Sequence, residues 1–296
     1  MNSIKPGFFI LGAPSCGTTS LYKWLILNPH IFMPSHKEPN YFSNCPQTHS
    51  LDDYESLFEG CPAGALAVGE ASTQYLRCPD AVARILRYNA QARFIVMVRN
   101  PVEMAYSWHN RKLAGAENVL NFEKAWNLRN KRKAGLCIPP CRDPKELIYD
   151  EMCKLGEQLQ HVYRQASPGR VHVVVFDDLK ADAAGVYQSV LRFLQVPDDD
   201  NCLPNFEVHN AARKIPRYRL MARLVKPAFG PLGRLKAAAG FRRSWGIYQR
   251  ILRPEMGPRP PMPPRVRQML AEYFRDDVRL LEQLIERDLS HWIEVS

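Results

Sequence analysis

Phe8-Phe9-Ile10-Leu11-Gly12-Ala13-Pro14-Ser15-Cys16-Gly17-Thr18-Thr19-Ser20-Leu21 is the stretch on which the fold turns. Four apolar residues in a row stop at Gly12, and from Thr18 onward Leu21, Trp24, Leu25 and Leu27 recur at helical spacing. That change of period reads as strand, glycine loop, helix. The spacing of Gly12 and Gly17 is that of a phosphate-binding loop, and the strand-to-helix context gives the spacing its meaning. Backbone N–H groups at the head of such a helix converge on an anion. The alternative is a plain tight turn, against which weigh the hydroxyls of Thr18, Thr19 and Ser20. A nucleotide triphosphatase places Lys after the second glycine and an acidic residue where Mg²⁺ must be held. Thr18 stands at the first position, and the strand that would carry the acid ends on Arg99, so the loop suits a phosphate without a metal.

Working outward, further buried strands are expected over 65–68, over 94–98 ending on Arg99, and over 171–176 ending on Asp177 and Asp178. Their apolar runs are continuous rather than alternating and are separated by helical patterns, which predicts a parallel sheet covered on both faces. The expected class is α/β, with a P-loop-type central parallel sheet flanked by helices. Val266, Met269, Leu270, Tyr273, Phe274, Leu281, Leu284 and Ile285 predict a C-terminal helix, started by a Pro-rich segment over 258–264. A single domain over 1–296 is expected, with a basic Pro/Gly-rich excursion at about 213–264.

Charge is concentrated in that excursion. The chain of 296 residues carries 40 Lys+Arg against 30 Asp+Glu, a net +10, yet residues 213–253 hold 12 basic residues and no acidic one, which leaves the remainder at −2. A local anionic partner follows from this more readily than a generally cationic protein. The N-terminal apolar run ends too soon for an export signal and no stretch approaches the ~20 apolar residues of a membrane span, so a soluble, cytoplasmic protein is expected. The eight cysteines are then expected as free thiols. Cys137 and Cys141 lack the neighbouring ligands of a zinc site.

Several segments carry a resemblance. Residues 9–21 resemble the 5′-phosphosulfate loop of sulfotransferases that use 3′-phosphoadenosine 5′-phosphosulfate (PAPS). Arg99-Asn100-Pro101 with Ser107 looks like their 3′-phosphate motif, and Lys37-Glu38-Pro39-Asn40-Tyr41-Phe42 is similar to the segment bearing the catalytic glutamate in the heparan-type branch. Gly69-Glu70-Ala71-Ser72-Thr73-Gln74-Tyr75-Leu76 and the segment from Tyr273 through Trp292 look like bacterial members. The resemblance implies sulfuryl transfer from PAPS, leaving adenosine 3′,5′-bisphosphate (PAP), with no metal. It implies that Ser15, Cys16, Gly17, Thr18, Thr19 and Ser20 hold the 5′-phosphate, that Arg99 and Ser107 hold the 3′-phosphate, and that Arg213 and Lys214 close over the nucleotide. Glu38 is the implied general base, beside Lys37, and His109 and Glu70 are placed at the acceptor site. The implied acceptor is a hydroxyl or amine of a carbohydrate, lipid or small metabolite; nucleic acid is not expected, and residues 219–253 suit a glycan or peripheral membrane contact.

The chain departs from the family at two positions. The family usually has Lys where Ser15 stands, contacting the transferring group, and the heparan-type branch has Lys where Ala71 stands. Lys37, Lys23 or the 213–217 cluster are the cations expected to substitute. Two other readings stay open: a catalytically impaired relative that still binds PAP, and a P-loop kinase using ATP and Mg²⁺, which Thr18 disfavours.

Overall fold

The computed structural model describes residues 4–43, 50–113, 115–141, 143–198, 203–206, 215–216, 256–257 and 261–294. The chain divides into two compact units, one of Met1–Asn210 with Met262–Ser296 and one of Ala211–Pro261. In the second, Ile215–Pro216 (β6) pairs antiparallel with Met256–Gly257 (β7).

The first unit is an α/β layer structure. Five parallel strands run in the order β2 (Ile31–Phe32), β3 (Ala67–Ala71), β1 (Phe8–Gly12), β4 (Arg93–Val98) and β5 (Val171–Val175). Phe8, Phe9, Ile10 and Leu11 of the central strand are at most 1% exposed, so both faces of β1 are covered, and this is why the run reads as continuously apolar. Each such side chain contributes about 1.5–3 kcal/mol by leaving water. Because β1 leads through α1 (Thr18–Leu25) to the edge strand β2 on one side, while β4 lies on its other side, the crevice beyond the C-terminal end of β1 is a topological switch point.

The remaining helices are α2 (Leu51–Ser56), α3 (Ala81–Tyr88), α4 (Pro101–Lys112), α5 (Phe122–Asn127), α6 (Arg129–Lys133), α7 (Tyr149–Cys153), α8 (Leu155–Tyr163), α9 (Phe176–Ala181), α10 (Ala183–Leu194) and α11 (Pro264–Ile285). None of the described helices is long and apolar enough to cross a membrane. Helix α11 buries Val266, Leu270, Phe274 and Leu281 as its stripe predicts. It also buries Asp277, whose carboxylate accepts from the Gly156 and Glu157 amides and so caps the start of α8. Tyr273 leaves the stripe: it is 38% exposed, and its hydroxyl donates to Asp150.

Two strand ends differ from the sequence reading. β3 runs over Ala67–Ala71 rather than 65–68, because Gly69 and Glu70, read as the stop, pair in register with Phe8 and Phe9. A Glu within a central strand is tolerated here because hydroxyls satisfy it. β5 ends at Val175, and Phe176 opens α9. The two-residue β2 had no sequence signal. The six described cysteines are free thiols.

Candidate functional site

The loop after β1 supplies the first wall. Gly17 caps α1 in the left-handed region (φ 91°), and its carbonyl accepts the Ser20 and Leu21 amides that start the helix. The first turn of α1 contains no acidic side chain, so the positive end of the helix is left for an outside anion. Ser15, Gly17 and Thr19 are partly exposed, whereas Cys16, Thr18 and Ser20 are buried. A Cβ at position 17 would come within 2.5 Å of Leu179 Cδ2 and 3.2 Å of Phe176 Cδ2 on α9. Gly17→Ala is therefore expected to lose about 1–2 kcal/mol from the left-handed backbone alone, visible as a lower urea midpoint.

Cys16, just before α1, is an enclosed thiol. It is fully buried, its Sγ lies 3.9 Å from Met104 Sδ, and burial pushes the thiol up to about 12 despite the nearby Arg99 charge. Its side chain fills space beneath the loop.

Arg99, at the end of β4, joins this wall. One guanidinium nitrogen donates to the Ser15 carbonyl at 2.9 Å, and the group lies 4.6 Å over the Phe176 ring. Phe176 thus touches both the glycine loop's neighbourhood and the arginine, a role its reading as the last apolar residue of a strand did not suggest. Ser107 lies on the second turn of α4 and is half-buried. Arg213 and Lys214 lie outside the described residues.

The second wall is built on the end of β3. The Glu38 amide donates to the Ala71 carbonyl at 3.0 Å, and its carboxylate accepts from the Thr73 amide at 2.8 Å and the Thr73 hydroxyl at 3.1 Å. Lys37 Nζ lies 2.9 Å from Glu38 Oε1, and the two side chains are 18% and 30% exposed, so the carboxylate is held yet reachable. Thr73 also links the two walls. Its carbonyl lies 2.9 Å from where a Cβ on Gly12 would sit, so the residue gripping Glu38 backs directly onto the start of the glycine loop. Thr73 falls within the 69–76 segment that carries the resemblance, but nothing in that pattern marked it as the partner of Glu38.

Glu70 and His109 lie inside the fold rather than at a surface. Glu70 is fully buried and accepts from the hydroxyls of Tyr54 (3.1 Å), Ser72 (2.7 Å) and Tyr75 (2.7 Å). Burial pushes its carboxyl up to about 7, and the three hydroxyls limit the rise. His109 is 1% exposed, with Nε2 at 2.9 Å from the Val119 carbonyl and its ring against Phe122 and Tyr149. Direct contact with an acceptor, expected of both, does not fit side chains enclosed on every side.

Three comparisons bear on this arrangement. The family model for the sulfotransferase domain matches residues 5–209, a span that contains both walls. Among curated proteins, the chain is similar to bifunctional heparan sulfate N-deacetylase/N-sulfotransferase 4 of Mus musculus, 25% identical over 293 residues, covering 95% of this chain and 30% of that protein. It is also similar to bifunctional heparan sulfate N-deacetylase/N-sulfotransferase 2 of Homo sapiens, 30% identical over 201 residues, covering 64% of this chain and 22% of that protein. The chain thus spans less than a third of these relatives. Among solved structures, a sulfotransferase from Alicyclobacillus acidocaldarius superposes with a TM-score of 0.74 at 24% identity, covering 98% of this chain and all of that one, which shows the shared fold.

Proposed function

Because the chain belongs to the sulfotransferase family, we propose that it moves the sulfuryl group of PAPS to a hydroxyl or amine of an acceptor, with Glu38 as the general base. The observation that carries this reading is the link through Thr73: one residue grips a carboxylate that is both held and reachable, and abuts the phosphate-type loop. When bound, PAPS supplies the sulfuryl group and departs as PAP.

The residues present fit such a donor. The first amides of α1 have no acceptor within the helix, and the Gly17 cap aims that end at the loop. Arg99 offers the remainder of its donor fork beside the loop, matched to a phosphate. Glu38 takes the acceptor's proton as it attacks, and Thr73, donating to both carboxylate oxygens, keeps the base in one orientation. Lys37, adjacent in space to Glu38, stands in for the cation that Ser15 does not provide, stabilising negative charge as it develops. The relatives named for heparan sulfate N-sulfation favour a carbohydrate amine or hydroxyl as acceptor.

Thermal melts with PAP and with ATP/Mg²⁺ test the donor site, since a ligand at 100 times its Kd stabilises the native state by about 2.7 kcal/mol. PAP is expected to raise Tm; stabilisation by ATP/Mg²⁺ alone would overturn the reading. Transfer of ³⁵S from labelled PAPS to an N-desulfated heparan chain tests the reaction. The Ser15 departure favours one second reading, a relative that binds PAP without turnover: a PAP shift with no transfer to any acceptor, water included, is its signature.

A further inference from the structure

We infer that Glu70 is a positioning residue for Glu38, acting through the Ser72 and Tyr75 hydroxyls to hold the segment that presents the base. The inference rests on the reading of Glu38 as the general base and deepens it.

The segment is in need of support. Glu38 and Asn40 both adopt left-handed backbone conformations, φ 65° and 54°, which disfavour residues carrying a Cβ. Local bonds help: Asn40 Nδ2 donates to the Glu38 carbonyl at 2.7 Å, and the Ser43 amide and hydroxyl donate to the Asn40 carbonyl. Two more bonds tie it to the residues that follow β3. The Asn40 amide donates to Ser72 Oγ at 2.9 Å, and the Phe42 amide donates to the Tyr75 hydroxyl at 3.3 Å.

Both hydroxyls can accept those amides only with their own protons pointed elsewhere. Glu70 supplies the place: Ser72 Oγ donates to Oε2 and Tyr75 OH donates to Oε1, each at 2.7 Å. An ionised carboxylate accepts at both oxygens and donates from neither. It therefore fixes the direction of both hydroxyls at once, leaving their lone pairs to the loop amides. The Tyr54 hydroxyl adds a third donor to the same carboxylate. A glutamine side chain of the same shape would present N–H₂ on one side, so one of the hydroxyls would have to turn its proton away from position 70, toward an incoming amide.

The test uses Glu70→Gln, Ser72→Ala and Tyr75→Phe in the full chain at pH 8, with two readouts. The first, residue-resolved amide exchange, needs no donor or acceptor. Ser72→Ala is expected to speed exchange at Asn40, Tyr75→Phe at Phe42, and Glu70→Gln at one or both, by on the order of tenfold, with core amides of β1 and β4 unchanged. The second is ³⁵S release from PAPS to water and to an N-desulfated heparan chain. Glu70→Gln is expected to lower kcat about tenfold while the Kd for PAP stays at its wild-type value. Unchanged exchange at Asn40 and Phe42 in a folded Glu70→Gln protein overturns the inference, as does wild-type kcat in that variant when Glu38→Gln is inactive. If Glu38→Gln keeps wild-type turnover, it is the assignment of the base that fails, and the exchange data still decide whether Glu70 holds the segment.

Discussion

Glu38→Gln is expected to reduce sulfuryl transfer by about 10²–10⁴-fold, the range typical for loss of a general base, with PAP affinity unchanged. The argument is one of geometry. Gln keeps the length of the side chain and a carbonyl oxygen for the Thr73 donors, so the segment stays in place. What disappears is the lone acceptor able to take a proton, together with the partner of Lys37. In the proposed reading PAP is held by the loop and Arg99, and no bond from either to Glu38 is found among the described residues, so calorimetric titration with PAP separates loss of chemistry from loss of fold. Transfer at the wild-type rate would show that another group takes the proton. Lys37→Ala in the same assay asks whether the neighbouring ammonium compensates for Ser15: a fall in kcat supports that role, and wild-type turnover removes it.

The largest effect on stability is expected at a buried ion pair that the proposed reaction does not use. Arg132→Met should cost about 3–5 kcal/mol, the range for breaking a buried ion pair from one side. Arg132 and Glu117 are both fully enclosed, joined by two bonds at 2.8 and 2.9 Å, and Arg132 also donates to the Leu147 carbonyl. Glu117 in turn accepts from the Asn118 and Val119 amides and from the Tyr149 hydroxyl. Burial alone would raise the Glu117 carboxyl, but the Arg132 guanidinium and the Tyr149 hydroxyl hold it below its ordinary range. Removing the arginine leaves a carboxylate without its countercharge inside the fold. Urea unfolding measures the loss, and the double variant Glu117→Gln/Arg132→Met should recover part of it, because partners in one network are not additive. A cost under 1 kcal/mol for the single change would mean that water reaches the pair.

The parts of the site that were legible are those whose chemistry is carried by neighbours in sequence. A run of apolar residues, two glycines and four hydroxyls fall within 14 consecutive positions, and their order alone reads as a strand, a phosphate-type turn and a helix. Arg99 was legible for the same reason, as a cation that ends an apolar strand. Glu38 was singled out by its segment's resemblance rather than by any property of a lone glutamate, and its environment was not visible: Thr73, 35 residues on, holds it.

Where sequence expectation and structure part, long-range packing is the cause. Glu70 looked like a polar residue ending a strand and proved to be enclosed by three hydroxyls, because β3 lies between two neighbours and its ladder with β1 continues through it. His109 lies in the right place along the chain for the acceptor site, but burial against Phe122 and Tyr149 decides that it packs. Phe176 sits 77 residues from the arginine it underlies, and Arg132 is 15 residues from Glu117 across a loop and a helix. Sequence by itself determined the parallel α/β class and the glycine loop between β1 and α1, since both follow from periodicity and local backbone geometry. Which carboxylate stays reachable, and which becomes a buried brace for it, only the tertiary structure decided: desolvation and hydrogen-bond partners are properties of the surroundings a side chain acquires on folding, not of its place in the chain.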